Sequence, residues 1–585
     1  MKHLFYLNKF FWQYRSLLIM GSVFIIIANL FALYPAEFVR KSFDSILDGI
    51  NNSNQVNVSS ILLKYGALII AFAVLKGVFM YFMRQTIIVM SRKIEYDLKN
   101  EVYQHYQQLS IAFFKQNKTG DLMNRISEDI SRVRMYLGPA LMYAINIVIL
   151  FTLVIGKMLS ISSYLTAYVL LPLPLLAISV YYVSDYINKR SEHVQEQLSH
   201  LTTIAQETFS GIKIIKSFTN ELNSSSLFYD NCKTYTKRQL QLVKIEALFF
   251  PLIISMIGLS TVLTIYIGGL ESIRGNISTG NIAEFIIYVN MLAWPVASVG
   301  WITSLVQRAE ASQKRINFFL NTPADIVNNT EEKTPIRGTI KYTNVSFRYP
   351  ETGIQALDNI SFTLNEGETL GIFGKTGSGK STLVNLLCRS YDADEGIISF
   401  DNKTIQELNL NNLRQEIGYI PQDGYLFSGT IKENIAFSKD DIILEEVERA
   451  AQKACILDEI NAFPKGLNTL IGERGVQLSG GQRQRLAIAR TFYKNPNIFI
   501  FDDCLSAVDA QIEYTILQHI NDQIKNKTSI IVSHRVATLI GTHKIIVLDE
   551  GKITECGTHN ELLEQKGFYH QMHLNQKNKA PLKSI

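Results

Sequence analysis

The chain has little cysteine and few charged residues, and each shortage argues against a class of protein. Five cysteines occur in 585 residues, and none has the spacing of a metal site or a disulfide framework. We therefore expect reduced, structural thiols. Charged residues make up 19% of the sequence, and the net charge is only +5, spread along the chain. This composition argues against a nucleic-acid-binding protein.

Glycine is rare in two long stretches, and proline is absent from the first of them. Residues 36–138 contain no proline, and Gly120 is the only glycine between residues 84 and 137. Gly211 is likewise the only glycine between residues 157 and 257. Because helix breakers are so rare there, each stretch is expected to form two long helices joined by one turn near the glycine. About 25 extra residues per helix would carry each pair roughly 40 Å beyond a membrane.

The two turn segments are Ile111–Met123 and Glu207–Thr219. Aromatic side chains lie close to both turns: Phe113, Phe114, Phe209 and Phe218. We favour short helices that dock into a partner domain, and the alternative is a pair of solvated helical hairpins.

Long apolar runs fill the first half of the chain. Six of them reach the roughly 20 residues that a helix needs to cross a bilayer. They are Leu17–Phe38, Ile61–Met83, Leu137–Met158, Ile161–Tyr182, Ala247–Gly269 and Ile282–Thr303. The first is too long for a signal peptide and lacks a small-residue cleavage site. We predict an α-helical membrane domain of six transmembrane helices with long cytoplasmic extensions.

Lysine and arginine are distributed unequally among the connections. Segments 1–15, 84–136 and 184–245 hold 3, 9 and 8 of them. The connections on the other side hold four in all: Arg40, Lys41, Lys157 and Arg274. The positive-inside rule therefore places the basic connections and both termini in the cytoplasm. We expect a multi-pass protein of the plasma membrane, which is the inner membrane in a bacterium.

Residues 374–381 form a phosphate-binding motif. Their sequence, GKTGSGKS, follows the apolar strand Thr369–Phe373 and precedes a predicted helix, Thr382–Cys388. Backbone N–H groups of such a loop surround phosphates, Lys380 reaches the β and γ phosphates, and the Ser381 hydroxyl holds Mg²⁺. The predicted ATP-binding residues here are Gly374, Lys375, Thr376, Gly377, Ser378, Gly379, Lys380, Ser381 and Thr382.

Asp502 ends the apolar run Ile498–Phe501, which predicts a buried strand with a carboxylate at its carboxyl end. Ligands of doubly wound sheets bind at this edge. We expect Asp502 to hold Mg²⁺ directly or through water.

The predicted domains are a membrane domain (1–320), a linker (321–335), an α/β P-loop nucleotide-binding domain (336–575) and a tail (576–585).

The segment Leu478, Ser479, Gly480, Gly481 and Gln482 stands shortly before that strand. With the two motifs above, it makes the chain resemble the ATP-binding cassette (ABC) transporters, in particular exporter half-transporters of the multidrug and lipid A flippase type. The resemblance covers almost the whole chain. It implies that these signature residues bind the γ-phosphate of ATP held by the opposite protomer, through Ser479 and the start of the following helix.

Further positions match the family in order. The resemblance assigns Tyr349 to adenine stacking, Gln422 to Mg²⁺ and the attacking water, and His534 to sensing the γ-phosphate. It also places Glu473 in a loop facing the membrane domain and Asp509 in a loop at the dimer interface.

Asp503 departs from the family, which usually has a catalytic glutamate there to orient the attacking water. Aspartate is one methylene shorter, so its carboxylate lies roughly 1.5 Å short, and a misplacement of about 1 Å can cost about a hundredfold in rate. The chain is then either half of a heterodimer whose partner supplies the glutamate, or a homodimer whose helix shifts so that Asp503 still works. We favour the heterodimer.

The expected function is ATP-driven export, or leaflet flipping, of hydrophobic or amphipathic molecules such as drugs or lipids by alternating access. The alternative is an ATP-gated channel or regulatory subunit with the same fold. The lack of a long charged insert between residues 305 and 336 argues against that alternative. The six spans exclude a soluble ATPase with the same signature.

Lys76 is a charged residue inside the second predicted span, roughly 22 Å from its outer end. One interpretation is that its side chain extends to the inner headgroups. The other is that it faces the substrate cavity and holds an anionic headgroup or drug. Both interpretations stay open.

Overall fold

The computed structural model describes residues 2–51, 58–439, 441–472, 478–505 and 510–579. The chain packs into two units. The first comprises Met1–Gln104 and Gly120–Thr322, and the second comprises His105–Thr119 and Pro323–Ile585.

Long helices make up the first unit. In chain order, the helices before residue 323 are α1 Asn8–Gln13, α2 Arg15–Asn51, α3 Val58–Gln108, α4 Ile111–Gln116, α5 Thr119–Asn124, α6 Ile130–Met135, α7 Leu141–Ile161, α8 Ser163–Leu170, α9 Pro172–Ser210, α10 Ile212–Ser217, α11 Glu221–Ile273 and α12 Thr279–Leu320. A 3₁₀ turn precedes α1, and two π-helical turns, Arg125–Asp129 and Tyr136–Ala140, continue the helix from α5 to α7.

Six helical segments are long and apolar enough to cross a membrane within the described ranges. They confirm the predicted six-helix membrane domain. The fourth segment begins at Ser163 rather than at Ile161, because Ser162 breaks the helix and its hydroxyl accepts the N–H of Leu165 at 3.2 Å. Large apolar side chains such as Leu63 and Ile70 are exposed on α3, as expected for a helix surface that faces lipid.

A cluster of charges joins α2, α7 and α12 inside this unit. Glu284 of α12 is 0% exposed, lies 3.2 Å from Arg40 Nε and accepts a hydrogen bond from Tyr288 at 2.7 Å. Glu37 of α2 pairs with Lys41 at 2.9 Å and with Lys157 at 3.4 Å. Every carboxylate in the cluster therefore has a cationic partner, as buried charge requires.

The second unit is built on two larger β-sheets. Its strands are β1 Ile340–Arg348, β2 Gln355–Leu364, β3 Thr369–Gly374, β4 Glu395–Phe400, β5 Lys403–Thr404, β6 Ile417–Ile420, β7 Gly429–Thr430, β8 Leu470–Ile471, β9 Ile498–Asp502, β10 Thr528–Val532, β11 Lys544–Asp549 and β12 Lys552–Gly557. One sheet is antiparallel, in the order β2-β1-β4-β5. The other has the order β12-β11-β3-β10-β9-β6 and is parallel except for β12.

Helices pack around these sheets. They are α13 Lys380–Leu387, α14 Leu410–Glu416, α15 Ile431–Ile435, α16 Leu444–Lys453, α17 Leu457–Ala462, α18 Gly480–Lys494, α19 Ala510–Ile524, α20 His559–Glu564 and α21 Phe568–Lys579. Strands β3, β9 and β10 are buried along their whole length, as their largely apolar sequences predict. This unit has the predicted α/β fold.

The two turn segments behave differently. Residues 111–119 of the first belong to the second unit: Ser110, just before α4, donates to Asp325 at 2.7 Å, and Ala112 packs in that unit's apolar core. The second contains α10 and stays in the first unit, where Phe209 and Phe218 are 75% and 79% exposed. The first turn therefore packs with the nucleotide-binding half of its own chain.

The charge cluster predicts a strong effect on stability. Glu284→Ala removes the nearer of the two carboxylates beside Arg40, leaving Glu37 at 3.8 Å, and takes the acceptor from Tyr288, which should cost about 3 kcal/mol. Glu284→Gln keeps an acceptor for Tyr288 and should cost less. Thermal unfolding of the detergent-solubilised chain measures both, with Glu192→Ala, at an exposed position of α9, as the matched control. Equal melting temperatures for Glu284→Ala and Glu192→Ala would contradict the expectation.

Candidate nucleotide-binding site

Four neighbouring parallel strands bring the predicted site residues to one edge of the sheet. The phosphate-binding loop follows β3, His534 follows β10, Asp502 ends β9, and Gln422 follows β6. These strands are adjacent in the order β3-β10-β9-β6. The pairing register sets Val532 beside both Ile372 and Asp502, and Ile420 beside Phe501. The carboxyl ends of all four strands therefore lie at nearly the same level, with β3 extending two residues further.

The phosphate-binding loop needs glycine at Gly379, which caps α13. Its φ is +101°, and a Cβ there would lie 2.5 Å from the carbonyl oxygen of Ala356. Lys380 curls over the loop and donates to the carbonyls of Gly374 and Lys375 at 2.9 and 2.6 Å. Burial lowers the pKa of Lys380, while Asp503 and Asp502 act in the opposite direction. The ammonium of Lys380 is thus held by carbonyl groups of the phosphate-binding loop.

Two of the three predicted metal ligands, Ser381 and Asp502, lie together. The Ser381 hydroxyl donates to Asp502 at 3.2 Å, and Asp502 is only 3% exposed. The other carboxylate oxygen accepts the Tyr419 hydroxyl at 3.3 Å. Burial raises the pKa of Asp502, and the hydrogen bonds from Ser381 and Tyr419 oppose that rise. A hydroxyl and a buried carboxylate at this separation are a donor set that fits Mg²⁺.

The three predicted catalytic residues also meet. Asp503 has a φ of +47°, a conformation that aspartate adopts more readily than most residues, and its N–H donates to the Val532 carbonyl at 3.0 Å. His534 Nδ1 lies 3.0 and 3.1 Å from the two oxygens of Asp503. Gln422 Nε2 lies 3.5 Å from one of them. The arrangement places two hydrogen-bonding side chains on one carboxylate.

Tyr349 lies beside the first turn of α13. Its hydroxyl lies 2.9 Å from the Thr382 hydroxyl, which connects it to the residue after the phosphate-binding loop. Its ring packs edge-on against Phe347 and Tyr391, with centroids 5.1 and 5.4 Å apart. The aromatic ring and the loop thus belong to one continuous site.

The signature segment lies apart from this cluster. Ser479 caps α18: its hydroxyl accepts the N–H of Gln482 at 3.2 Å, and its own N–H donates to the Gln482 side chain at 2.9 Å. Gln482 also donates to Glu459 of α17 at 2.8 Å. In the part of the chain that the structure describes, no hydrogen bond of a signature side chain reaches residues 374–381. The signature forms a helix N-terminus of its own, and such termini favour anions.

The remaining predicted site residues are less informative. Glu473 and Asp509 lie outside the described residues. Lys76 lies in the middle of α3, half-buried between the exposed Leu75 and Val78, and its ammonium has no polar partner among the described residues.

Sequence reasoning missed Tyr419 on β6. The only signal was an aromatic residue on the strand that leads to Gln422. It becomes informative once β6 is known to pair with β9, because this pairing sets Tyr419 opposite Ile500 and close to Asp502.

Comparison with known proteins is consistent with this geometry. The family model for the "ABC transporter transmembrane region" matches residues 18–296, and the model for "ABC transporter" matches residues 357–506. A solved chain, "Structure of a bacterial Atm1-family ABC exporter with ATP bound", shares the fold with a TM-score of 0.81 and 24% identity, covering 98% of this chain and 99% of that one.

Three curated relatives match this chain along nearly its whole length. The "Probable multidrug resistance ABC transporter ATP-binding/permease protein YheI" of Bacillus subtilis is 32% identical, over 97% of each chain. "Multidrug resistance-like ATP-binding protein MdlA" of Escherichia coli is 33% identical, over 97% of this chain and 96% of the relative. The "ATP-dependent lipid A-core flippase" of Photobacterium profundum is 30% identical, over 96% and 95%. With its six-helix membrane domain and its ATP-binding domain, the chain belongs to the ABC transporter family, which couples ATP hydrolysis to transport.

Proposed function

We propose that this chain is one half of an exporter that uses ATP to move hydrophobic or amphipathic molecules, such as drugs or lipids, across the plasma membrane. The observation that carries the proposal is the convergence of Lys380, Ser381, Asp502, Asp503 and His534 at one sheet edge of a chain with six membrane-spanning helices. The nucleotide domain and both termini face the cytoplasm, because the lysine- and arginine-rich connections lie on that side.

Ser381, Asp502 and Gln422 are the residues that would hold Mg²⁺ beside the phosphates. When bound, the ion neutralises phosphate charge during hydrolysis. The chain's own groups do the rest: loop N–H groups and Lys380 bind the phosphates, and Tyr349 stacks on adenine. Asp503 and Gln422 orient the attacking water, and His534 contacts the γ-phosphate.

A second chain completes the ATP site. The signature residues hydrogen-bond to each other and to Glu459, so their helix N-terminus is available for the phosphate held by another protomer. We propose that Asp509 lies at that dimer interface. Because Asp503 has a short side chain in a position fixed by its backbone N–H and by His534, we favour a heterodimer in which the partner supplies a glutamate.

The membrane unit contains a cavity that we propose binds the transported molecule. A cavity of about 630 Å³ lies between α7, α9 and α12 and is lined mainly by apolar side chains such as Phe151, Leu173 and Val296. Its other end carries polar groups, among them Ser184, Asp185 and Thr303. An apolar cavity with one polar end suits an amphipathic molecule. Lys76 is not among the residues that line it, so we propose that its ammonium extends to the headgroups.

Asp503→Glu tests the unequal-pair proposal. We expect slow ATP hydrolysis by the purified wild-type chain and a rise of roughly 10- to 100-fold in the variant, because the added methylene brings the carboxylate about 1 Å closer to the attacking water. A phosphate-release assay measures the rate. Asp522→Glu, an exposed position on α19, is the matched control and should change nothing. Vigorous turnover by the wild-type chain alone would argue for the homodimer.

Ala177→Trp tests the cargo cavity. Ala177 lines the cavity, whereas its neighbour Ile178 is 55% exposed and does not line it. A tryptophan at position 177 should fill the space and reduce ATP-dependent accumulation of a hydrophobic fluorescent dye in inside-out vesicles to the level of Lys380→Ala. Ile178→Trp, one position along the same helix, should transport normally. Normal transport by Ala177→Trp would place the cargo elsewhere.

A further inference from the structure

A lysine from the first turn segment lies over the aromatic ring assigned to adenine. Lys115, on α4, has its Nζ 4.8 Å from the centroid of the Tyr349 ring and 5.3 Å from that of Tyr391. Both distances fall within the range of cation–π attraction. A residue of the first cytoplasmic connection is therefore part of the surroundings of the nucleotide base.

Glu351 holds this lysine in place. Its Oε1 lies 3.7 Å from Lys115 Nζ and accepts the Tyr391 hydroxyl at 3.0 Å, and its side chain is only 11% exposed. Burial lowers the pKa of Lys115, but interactions with Tyr391, Tyr349 and Glu351 outweigh it, so the pKa is raised overall. The ammonium therefore stays charged at neutral pH.

The ring of Tyr349 is held from several directions. Phe347 and Tyr391 pack against it at interplanar angles of 80° and 88°, and Thr382 holds its hydroxyl. A ring has two faces, and a cation over one face leaves the other for a flat base. These contacts fix the position of the ring.

We propose that Lys115 is a positioning residue for adenine: its ammonium holds one face of Tyr349, and the base stacks on the other. The inference rests on the proposed adenine role of Tyr349. It makes the first turn segment a part of the ATP site, so ATP binding and the packing of α4 stabilise each other reciprocally.

Lys115→Met tests the inference, because it removes the charge and keeps the length of the side chain. We expect the Kd for ATP, measured by fluorescence titration of the purified full chain, to rise about two- to fivefold. Lys115→Arg should restore affinity, since guanidinium also binds over aromatic rings. Lys118→Met, an exposed lysine three residues along the same segment, is the matched control and should bind ATP as the wild type does.

A double-mutant cycle separates the inference from the function on which it rests. On a Tyr349→Leu background, Lys115→Met should have no further effect, because the ring is gone. Three results would overturn the inference: an unchanged Kd for Lys115→Met, an equal rise in Kd for Lys118→Met, or a rise in Kd for Lys115→Met that is just as large on the Tyr349→Leu background. If Tyr349→Leu leaves ATP affinity intact while Lys380→Ala abolishes it, the adenine assignment itself fails. If Tyr349→Leu weakens binding and Lys115→Met does not, only the role of Lys115 fails.

Discussion

The parallel pairing of β3, β10, β9 and β6 is the constraint on which the nucleotide site depends. Each strand contributes at least one predicted site residue at or just beyond its carboxyl end, and these residues meet only because the strands end within a few residues of the same level. Side chains alternate along a strand, so a shift of one residue in the β9 register would turn Asp502 away from Ser381. The buried apolar sequences of β3, β9 and β10 prevent such a shift, since it would also disturb every packed side chain.

The same constraint limits what Asp503 can do. It follows β9 directly, its N–H is bound to the Val532 carbonyl of β10, and its carboxylate is held by His534. Moving the backbone of Asp503 toward a water would break its bond to the Val532 carbonyl, whereas one added methylene would extend the carboxylate without moving the backbone. A homodimer that compensates by shifting the following helix has to disturb this arrangement. This packing is the reason that we propose an unequal pair.

Contiguous patterns were predictable from the sequence, and contacts between distant segments were not. The six spans, the GKTGSGKS loop and the strand ending at Asp502 each depend on local periodicity or a short motif, and the fold has them. Tyr419 and Lys115 carry no local signal: their contacts follow from which strands pair and from where α4 packs. In the sequence, Glu284 is likewise only one acidic residue in an apolar run, and its pairing with Arg40 follows from the packing of α2 against α12.

The free energy available from adenine binding can be compared with the free energy that a conformational change requires. A cation–π pair at a partly exposed site contributes about 0.5–1 kcal/mol, and stacking of a base on an aromatic ring about 1–3 kcal/mol. Moving a two-state equilibrium from 1:99 to 99:1 takes about 5.5 kcal/mol of differential binding. Stacking on Tyr349 with Lys115 behind it therefore falls short by itself. In the dimer that we propose, the triphosphate bound between this chain's loop and a partner's signature helix has to supply the remainder, while the base fixes the position of the nucleotide relative to the first turn segment.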